Sequence, residues 1–214
     1  MCDSSGYKEY VLNKDDKHIV LWLIRHGETV SNEEKRYAGL GIDEPLSAGG
    51  KEKLKRINTG IEPERIYTGP MQRCRQTAAI LFPEREILTA DGMTEIDFGL
   101  WEGKGYKELN GDSAYQAWID SGGTAAIPGG EDKESFINRT MISFRRLLGS
   151  LEDCGSVALI CHGGNIMAIM SSLTKEDYYS FQVKCGEGYK LEFRPEGEEI
   201  HDLSYHSVSA GFYT

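Results

Sequence analysis

Two stretches of the chain are apolar almost without a break: Ile19-Val20-Leu21-Trp22-Leu23-Ile24 and Val157-Ala158-Leu159-Ile160-Cys161. Such runs predict strands buried on both faces, as in a parallel sheet, here over about 18–25 and 156–161. Each run ends at a histidine followed by glycine: Arg25-His26-Gly27 in the first case and His162-Gly163-Gly164 in the second. Between them the pattern alternates strand and helix. Pro45-Leu46-Ser47 opens a helix with Ser47 as N-cap, Leu54 and Ile57 facing inward, and Gly60 at its end. A short strand at 65–68 leads to Pro70 in the first turn of a second helix, which carries Arg73 and Arg75. A third short strand is predicted at 86–89. The order β-α-β-α-β predicts a parallel sheet.

Residues 94–105 read as a loop in which carboxylates alternate with large apolar side chains. A helical stretch over 106–121 reads as a cap packed over the sheet edge, with a contribution to a substrate lid. Pro128-Gly129-Gly130-Glu131 turns into a long helix, where Phe136, Met141, Phe144, Leu147, Leu148 and Leu151 form an apolar stripe. After His162 a helix is predicted from Asn165 to Leu173, then a short helix at 175–181. A hairpin of 189–193 with 200–205 follows, turning at Pro195-Glu196-Gly197. Residues 1–17 read as a polar N-terminal extension and 18–214 as one domain, with the helical cap at about 104–127.

Composition narrows the partners. A net charge of −10 gives no long-range attraction for nucleic acid or an acidic membrane. An anionic substrate would need a local arginine cluster. No apolar run approaches the roughly 18 residues of a membrane span, and the first seventeen residues carry no apolar signal core. Five scattered cysteines, never in a C-x-x-C pair, read as reduced thiols of a cytoplasmic protein, with Cys161 a small buried hydrophobe.

The candidate chemistry lies at the strand ends, where ligands bind in open α/β sheets. If the two strands are neighbours, His26 and His162 face one pocket. Phosphoryl oxygens are held best by guanidinium groups, and Arg25 and Arg73 are the candidates. A neutral imidazole at His26 can attack phosphorus when its other nitrogen donates to a fixed acceptor. The flanking arginines disfavour the imidazolium. A leaving alkoxide needs a proton, and Glu95 is the best placed donor, ahead of Glu28, Asp97 and Glu102. Glycines 163 and 164 at a strand-to-helix junction offer backbone N–H groups to an anion. No metal or cofactor is required. Plainer readings stand beside these. A strand-end histidine more often bonds only a carbonyl, Asn32 suits a turn, Glu102 a solvated loop, and Arg75 a surface ion pair. His18 reads as a strand-entry residue, and His201 and His206 as hairpin residues without partners.

Six blocks then align with a known pattern: Arg25-His26-Gly27-Glu28-Thr29 with Asn32; Asp43-Glu44-Pro45-Leu46-Ser47-x-x-Gly50; Arg73 with Gln76-Thr77-Ala78; Glu95 to Gly103; Pro128 to Glu131; and His162-Gly163-Gly164. In this order, over roughly 19–195, the chain resembles the histidine phosphatase superfamily in its phosphoglycerate mutase-like branch. The resemblance implies a three-layer α/β/α sandwich with a mostly parallel central sheet. It implies a metal-free, cofactor-free pocket with His26 as the phosphorylated nucleophile and Glu95 as proton donor. Arg25, Arg73 and His162 would hold the phosphate, with Asn32, the Gly163 amide, Glu28, Thr29 and Arg36 binding substrate. It implies a small-molecule phosphate ester as partner, not nucleic acid or membrane; a homodimer is compatible with it. The short stretch 104–127 disfavours mutase activity, because the metal-free mutases carry a longer insert there. The Glu95–Gly103 loop and the length are similar to α-ribazole-5′-phosphate phosphatases of cobalamin biosynthesis. A broad-specificity or sugar-phosphate phosphatase, or a non-catalytic phosphate-binding protein, is the alternative. Gly69 departs from the family, which often has a polar residue there, and implies a hydroxyl missing from the phosphate pocket.

Overall fold

A computed structural model of the chain describes residues 18–151 and 153–209; the extension read over 1–17 lies outside them. Strand β1 (Ile19–Arg25) is followed by a one-turn helix α1 (Val30–Glu33), α2 (Ala48–Lys55), β2 (Arg65–Thr68), α3 (Gln72–Leu81) and β3 (Leu88–Thr89). Then come α4 (Tyr106–Leu109), α5 (Ser113–Asp120), α6 (Lys133–Gly149), β4 (Ser156–Cys161), α7 (Gly163–Thr174), β5 (Gly188–Glu196) and β6 (Glu199–Val208). The sheet order is β3-β2-β4-β1-β5-β6. β3, β2, β4 and β1 run parallel, and β5 and β6 add antiparallel to β1.

Strand periodicity accounts for the layers, since successive side chains point to opposite faces. Leu21, Leu23, Val157, Leu159 and Cys161 face one core, with Phe144 and Leu147 from α6 and Ile166 and Ile169 from α7. Trp22, Ile24, Ala158 and Ile160 face the other, against Leu54 of α2 and Cys74, Ala78 and Leu81 of α3. The result is the three-layer α/β/α arrangement with a mixed, mostly parallel sheet. A third core gathers Ile96, Trp101, Leu109, Tyr115, Ile127 and Phe136, so the 106–127 segment packs onto the irregular loop.

Several boundaries differ from the sequence reading. Pro70 precedes α3, whose N-cap is Met71. α2 stops at Lys55, well before Gly60. The loop after His26 contains α1, capped by Thr29. α7 begins at Gly163 rather than Asn165, because Asn165 reaches back to accept from the His162 N–H at 3.3 Å. The hairpin strands extend through Pro195 and Glu196, leaving Gly197-Glu198 as the turn, with Gly197 at φ 62°. His201, read as unpartnered, lies 3.3 Å from Glu196.

Candidate active site

The register of the two central strands decides the site. Arg25 pairs with Cys161 across the parallel β1–β4 ladder, so the residues that follow, His26 and His162, leave the sheet side by side. Their rings lie 5.1 Å apart between centroids. Both are buried, at 4% and 0% exposure. His26 Nδ1 is 2.7 Å from the Gly27 carbonyl oxygen, which can only accept. The proton therefore sits on Nδ1 and the lone pair on Nε2. Thr77 fixes that carbonyl's residue in turn: its hydroxyl accepts from the Gly27 N–H and donates to the Arg73 carbonyl. His162 Nδ1 accepts from Arg73 Nε at 3.3 Å, which puts its own proton on Nε2.

Burial pushes the His26 pKa well below its ordinary value, and Arg25 and Arg73 push it further down against the bond to Gly27. His162 is lowered in the same way by burial, then by Arg73, His26 and Arg25. Both imidazoles are neutral in the folded protein. The unfolded chain, with histidines near 6.5, then binds more protons than the native one on acidification. Stability is accordingly full above about pH 6.5 and is lost as the pH falls, by up to about 1.4 kcal/mol per pH unit for each group. A Tm followed from pH 8 to pH 5 should fall, and should fall less in His26→Ala. A Tm independent of pH over this window contradicts neutral burial.

A cavity of about 330 Å³ opens beside the histidines, lined by Arg25, His26, Asn32, Arg36, Glu95 and the Gly163–Gly164 backbone, among others. Arg25 donates Nη1–H to the Val183 carbonyl at 2.7 Å, while its buried Nε has no partner among the described residues. A Cβ on Gly163 would stand 3.4 Å from that Nε, so glycine lets the helix start approach the guanidinium. Glu95 Oε2 accepts from the Gly164 N–H at 3.3 Å and Oε1 from the Ile96 N–H at 3.0 Å. A side chain on Gly164 would collide with Glu95 Oε1 and approach the Phe136 ring at 2.9 Å.

The other expected residues separate. Asn32 lines the cavity, its Oδ1 held by the Thr29 N–H at 3.1 Å. Arg36 lines it too, yet its guanidinium is engaged by Glu34, Glu108 and the Gly103 carbonyl. Thr29 is a buried cap of α1 and stands outside the lining. Glu28 turns away to pair with Lys53 at 2.6 Å. Asp97 caps a turn through the Gly99 N–H, and Glu102 accepts from the N–H groups of Gly39, Gly41 and Phe98, where a solvated carboxylate had been read. Arg73 stands behind His162, not in the lining: it donates to the carbonyls of Ile42, Ala38 and Gly39. A Cβ on Gly69 would meet the Met93 carbonyl, so this glycine permits close chain approach and is absent from the cavity wall.

A second cavity, about 240 Å³, shares Tyr37, Glu95, Phe98, Gly164, Met167 and Gln182 with the first and continues to Trp118, Tyr178, Tyr179 and Lys133. Tyr37 and Trp118 stood in stretches read as functional loop and cap. Gln182 and Val183 had no sequence signal, because only the chain path after α7 brings them to the site.

The family model described as histidine phosphatase superfamily (branch 1) matches residues 21–205. The adenosylcobalamin/alpha-ribazole phosphatase of Salmonella typhimurium is 28% identical over 160 residues, 72% of this chain and 78% of that one. A putative alpha-ribazole-5′-P phosphatase from Escherichia coli superposes with a TM-score of 0.78 at 22% identity, covering 92% of this chain and 98% of the other. A mutant of the phosphoserine phosphatase of Entamoeba histolytica, in complex with phosphoserine, gives a TM-score of 0.74 at 25% identity, with 90% of this chain and 98% of the other covered.

Proposed function

The chain belongs to the histidine phosphatase superfamily, branch 1, and is a phosphatase; on that premise we propose that it hydrolyses α-ribazole 5′-phosphate, in the cytoplasm, through a phosphohistidine at His26. The observation that carries the chemistry is the His26 ring, with its proton committed to Gly27 and Nε2 left nucleophilic, in one cavity with Arg25 and Glu95. In the first step His26 Nε2 bonds to phosphorus as the ester P–O bond breaks, and the Glu95 carboxyl gives its proton to the departing oxygen. In the second step water attacks the phosphohistidine and yields its proton to the Glu95 carboxylate. Inorganic phosphate leaves, and His26 and Glu95 return to their starting states. Arg25 and neutral His162 supply donors to the phosphoryl oxygens, and the Gly163 N–H and Asn32 amide assist. Electrostatic stabilisation comes from these side chains, so a chelator such as EDTA should leave turnover unchanged; a loss restored by added divalent metal would refute this.

The substrate choice rests on the second cavity and on the names of the relatives. Tyr37, Phe98, Trp118 and Tyr178 offer flat apolar surfaces suited to an aromatic base on the leaving group, since rings pack well against rings. On this reading the reaction belongs to cobalamin biosynthesis, as the names of the relatives suggest. The rival reading is an amino-acid phosphate, favoured by the phosphoserine phosphatase likeness and by Lys133 in the same cavity. A panel of phosphate esters at low concentration separates the two through kcat/KM. α-Ribazole 5′-phosphate should lead phosphoserine and simple sugar phosphates by about 10-fold or more, the scale of a few apolar contacts in a pocket. Phosphoserine leading the panel would overturn the assignment, and equal rates on all would indicate a broad-specificity enzyme.

A further inference from the structure

The proton donor has to stand at one place relative to the scissile bond, yet Glu95 lies on an irregular segment with no helix or strand to hold it. Its carboxylate is steadied from one side by the N–H groups of Ile96 and Gly164. Its backbone is held from the other side by a single residue of α6, Arg139. The Nη2 group donates to the Glu95 carbonyl at 2.9 Å, and Nη1 donates to the Thr94 hydroxyl at 2.9 Å and the carbonyls of Thr94 and Gly92 at 3.2 Å each. The remaining edge of the fork, Nε and Nη2, closes on both oxygens of Glu131, at 2.7 and 2.8 Å. Asn165 adds a bond from Nδ2 to the Thr94 carbonyl at 3.0 Å.

The Pro128-Gly129-Gly130-Glu131 turn delivers Glu131 to this spot. Its backbone docks on the loop beyond Glu95: the Glu131 N–H donates to the Asp97 carbonyl at 2.9 Å, and Leu100 N–H to the Pro128 carbonyl at 2.9 Å. A Cβ on Gly130 would press into the Asp97 carbonyl, so glycine is required for the approach. The Arg139 guanidinium also lies over the Phe136 ring, 4.8 Å from its centroid, and that ring abuts Gly164. The two restraints on Glu95, backbone and carboxylate, thus meet at one stack: Arg139, Phe136, Gly164.

We propose that Arg139, oriented by Glu131, is the positioning residue that sets Glu95 within reach of the leaving-group oxygen. The inference rests on Glu95 being the proton donor. Arg139 itself stands outside the walls of both cavities. Its planar fork matters because it spans three carbonyls, a hydroxyl and a carboxylate at once, which a lysine ammonium cannot do.

The test uses the full chain and two esters: p-nitrophenyl phosphate, whose nitrophenolate departs without a proton, and 2-glycerophosphate, whose glycerol alkoxide needs one. Glu95→Gln is the reference and should lower kcat/KM on 2-glycerophosphate by about 100-fold more than on p-nitrophenyl phosphate. Arg139→Met should show selectivity in the same direction but smaller, about 10-fold, because a small displacement of an acid costs rate only where the acid is used. Arg139→Lys should recover little of it, and adding Arg139→Met to Glu95→Gln should change the selectivity by less than about twofold, as for groups acting as one unit. Should Arg139→Met not fold, Arg139→Lys and Glu131→Gln carry the same comparison. Equal losses on both esters for the Arg139 and Glu131 variants, with Glu95→Gln still selective, would reduce Arg139 to a structural residue. If Glu95→Gln is itself unselective, the acid assignment falls and the positioning role falls with it.

Discussion

His26→Ala is expected to reduce phosphatase turnover by about 10⁴-fold or more, the scale seen when a covalent nucleophile is removed. The reason is chemical and local. Nε2 of His26 is the lone pair that the fold leaves free, its ring held by a 2.7 Å bond from Nδ1 to Gly27. His162 is not a substitute, because the Arg73 Nε–H occupies its Nδ1 and its proton therefore lies on the nitrogen left over. The cost to folding should be small, about 1–2 kcal/mol for one buried ring and one hydrogen bond. Loss of a neutral buried histidine also removes one source of acid sensitivity. Rapid quenching in alkaline detergent with an ester labelled in its phosphoryl group decides the matter: wild-type protein should carry acid-labile, alkali-stable phosphate and the variant none. Phosphate bound covalently to His26→Ala would take His26 out of the nucleophile role.

Arg73 should produce the second largest effect, and through a different route. Its side chain is 1% exposed and ties His162 to the carbonyls of Ala38, Gly39 and Ile42. Arg73→Met strands those three acceptors. At about 1–3 kcal/mol for a buried unsatisfied group, the buried Gly39 carbonyl and the two half-buried ones bring the loss to roughly 3 kcal/mol. Activity should fall with it, by about 10³-fold in kcat/KM, because the 38–42 loop carries Ala38 next to Tyr37 in the cavity wall and because His162 loses the donor that sets its tautomer. Arg73→Lys keeps the charge but cannot span the same acceptors, so it should recover stability only in part. Urea midpoints at constant m, with kcat/KM on one activated ester, provide the reading. An Arg73→Lys protein indistinguishable from wild type on both would show that charge alone is required there.

The three layers follow from the chain's own pattern. Continuous apolar runs at β1 and β4 could be satisfied only by burial on both faces, and the apolar stripe of α6 supplied one of the covering layers. The positions of His26 and His162 at strand ends were legible for the same reason: burial ends where the sequence turns polar and glycine allows the exit. Where local pattern did not reach, a partner distant in sequence set the side chain's place. Glu28 and Thr29 adjoin the nucleophile in sequence, but one is drawn off by Lys53 and the other caps α1. Glu102 looks like a solvent carboxylate until the N–H groups of Gly39, Gly41 and Phe98 are brought to it.

By itself, then, the sequence determined the main strands and helices, the two buried strands and the histidines that stand at their ends, because periodicity and local backbone chemistry act over a few residues. Only the tertiary structure decided that β4 inserts between β1 and β2, with Arg25 opposite Cys161, and so set two histidines 136 positions apart in adjoining places. It alone set the Arg73 guanidinium against His162 Nδ1 and the carbonyls of Ala38, Gly39 and Ile42. Strand pairing and the sharing of buried hydrogen-bond donors are settled by which distant groups can satisfy one another once water is excluded. No local pattern in the chain encodes that choice.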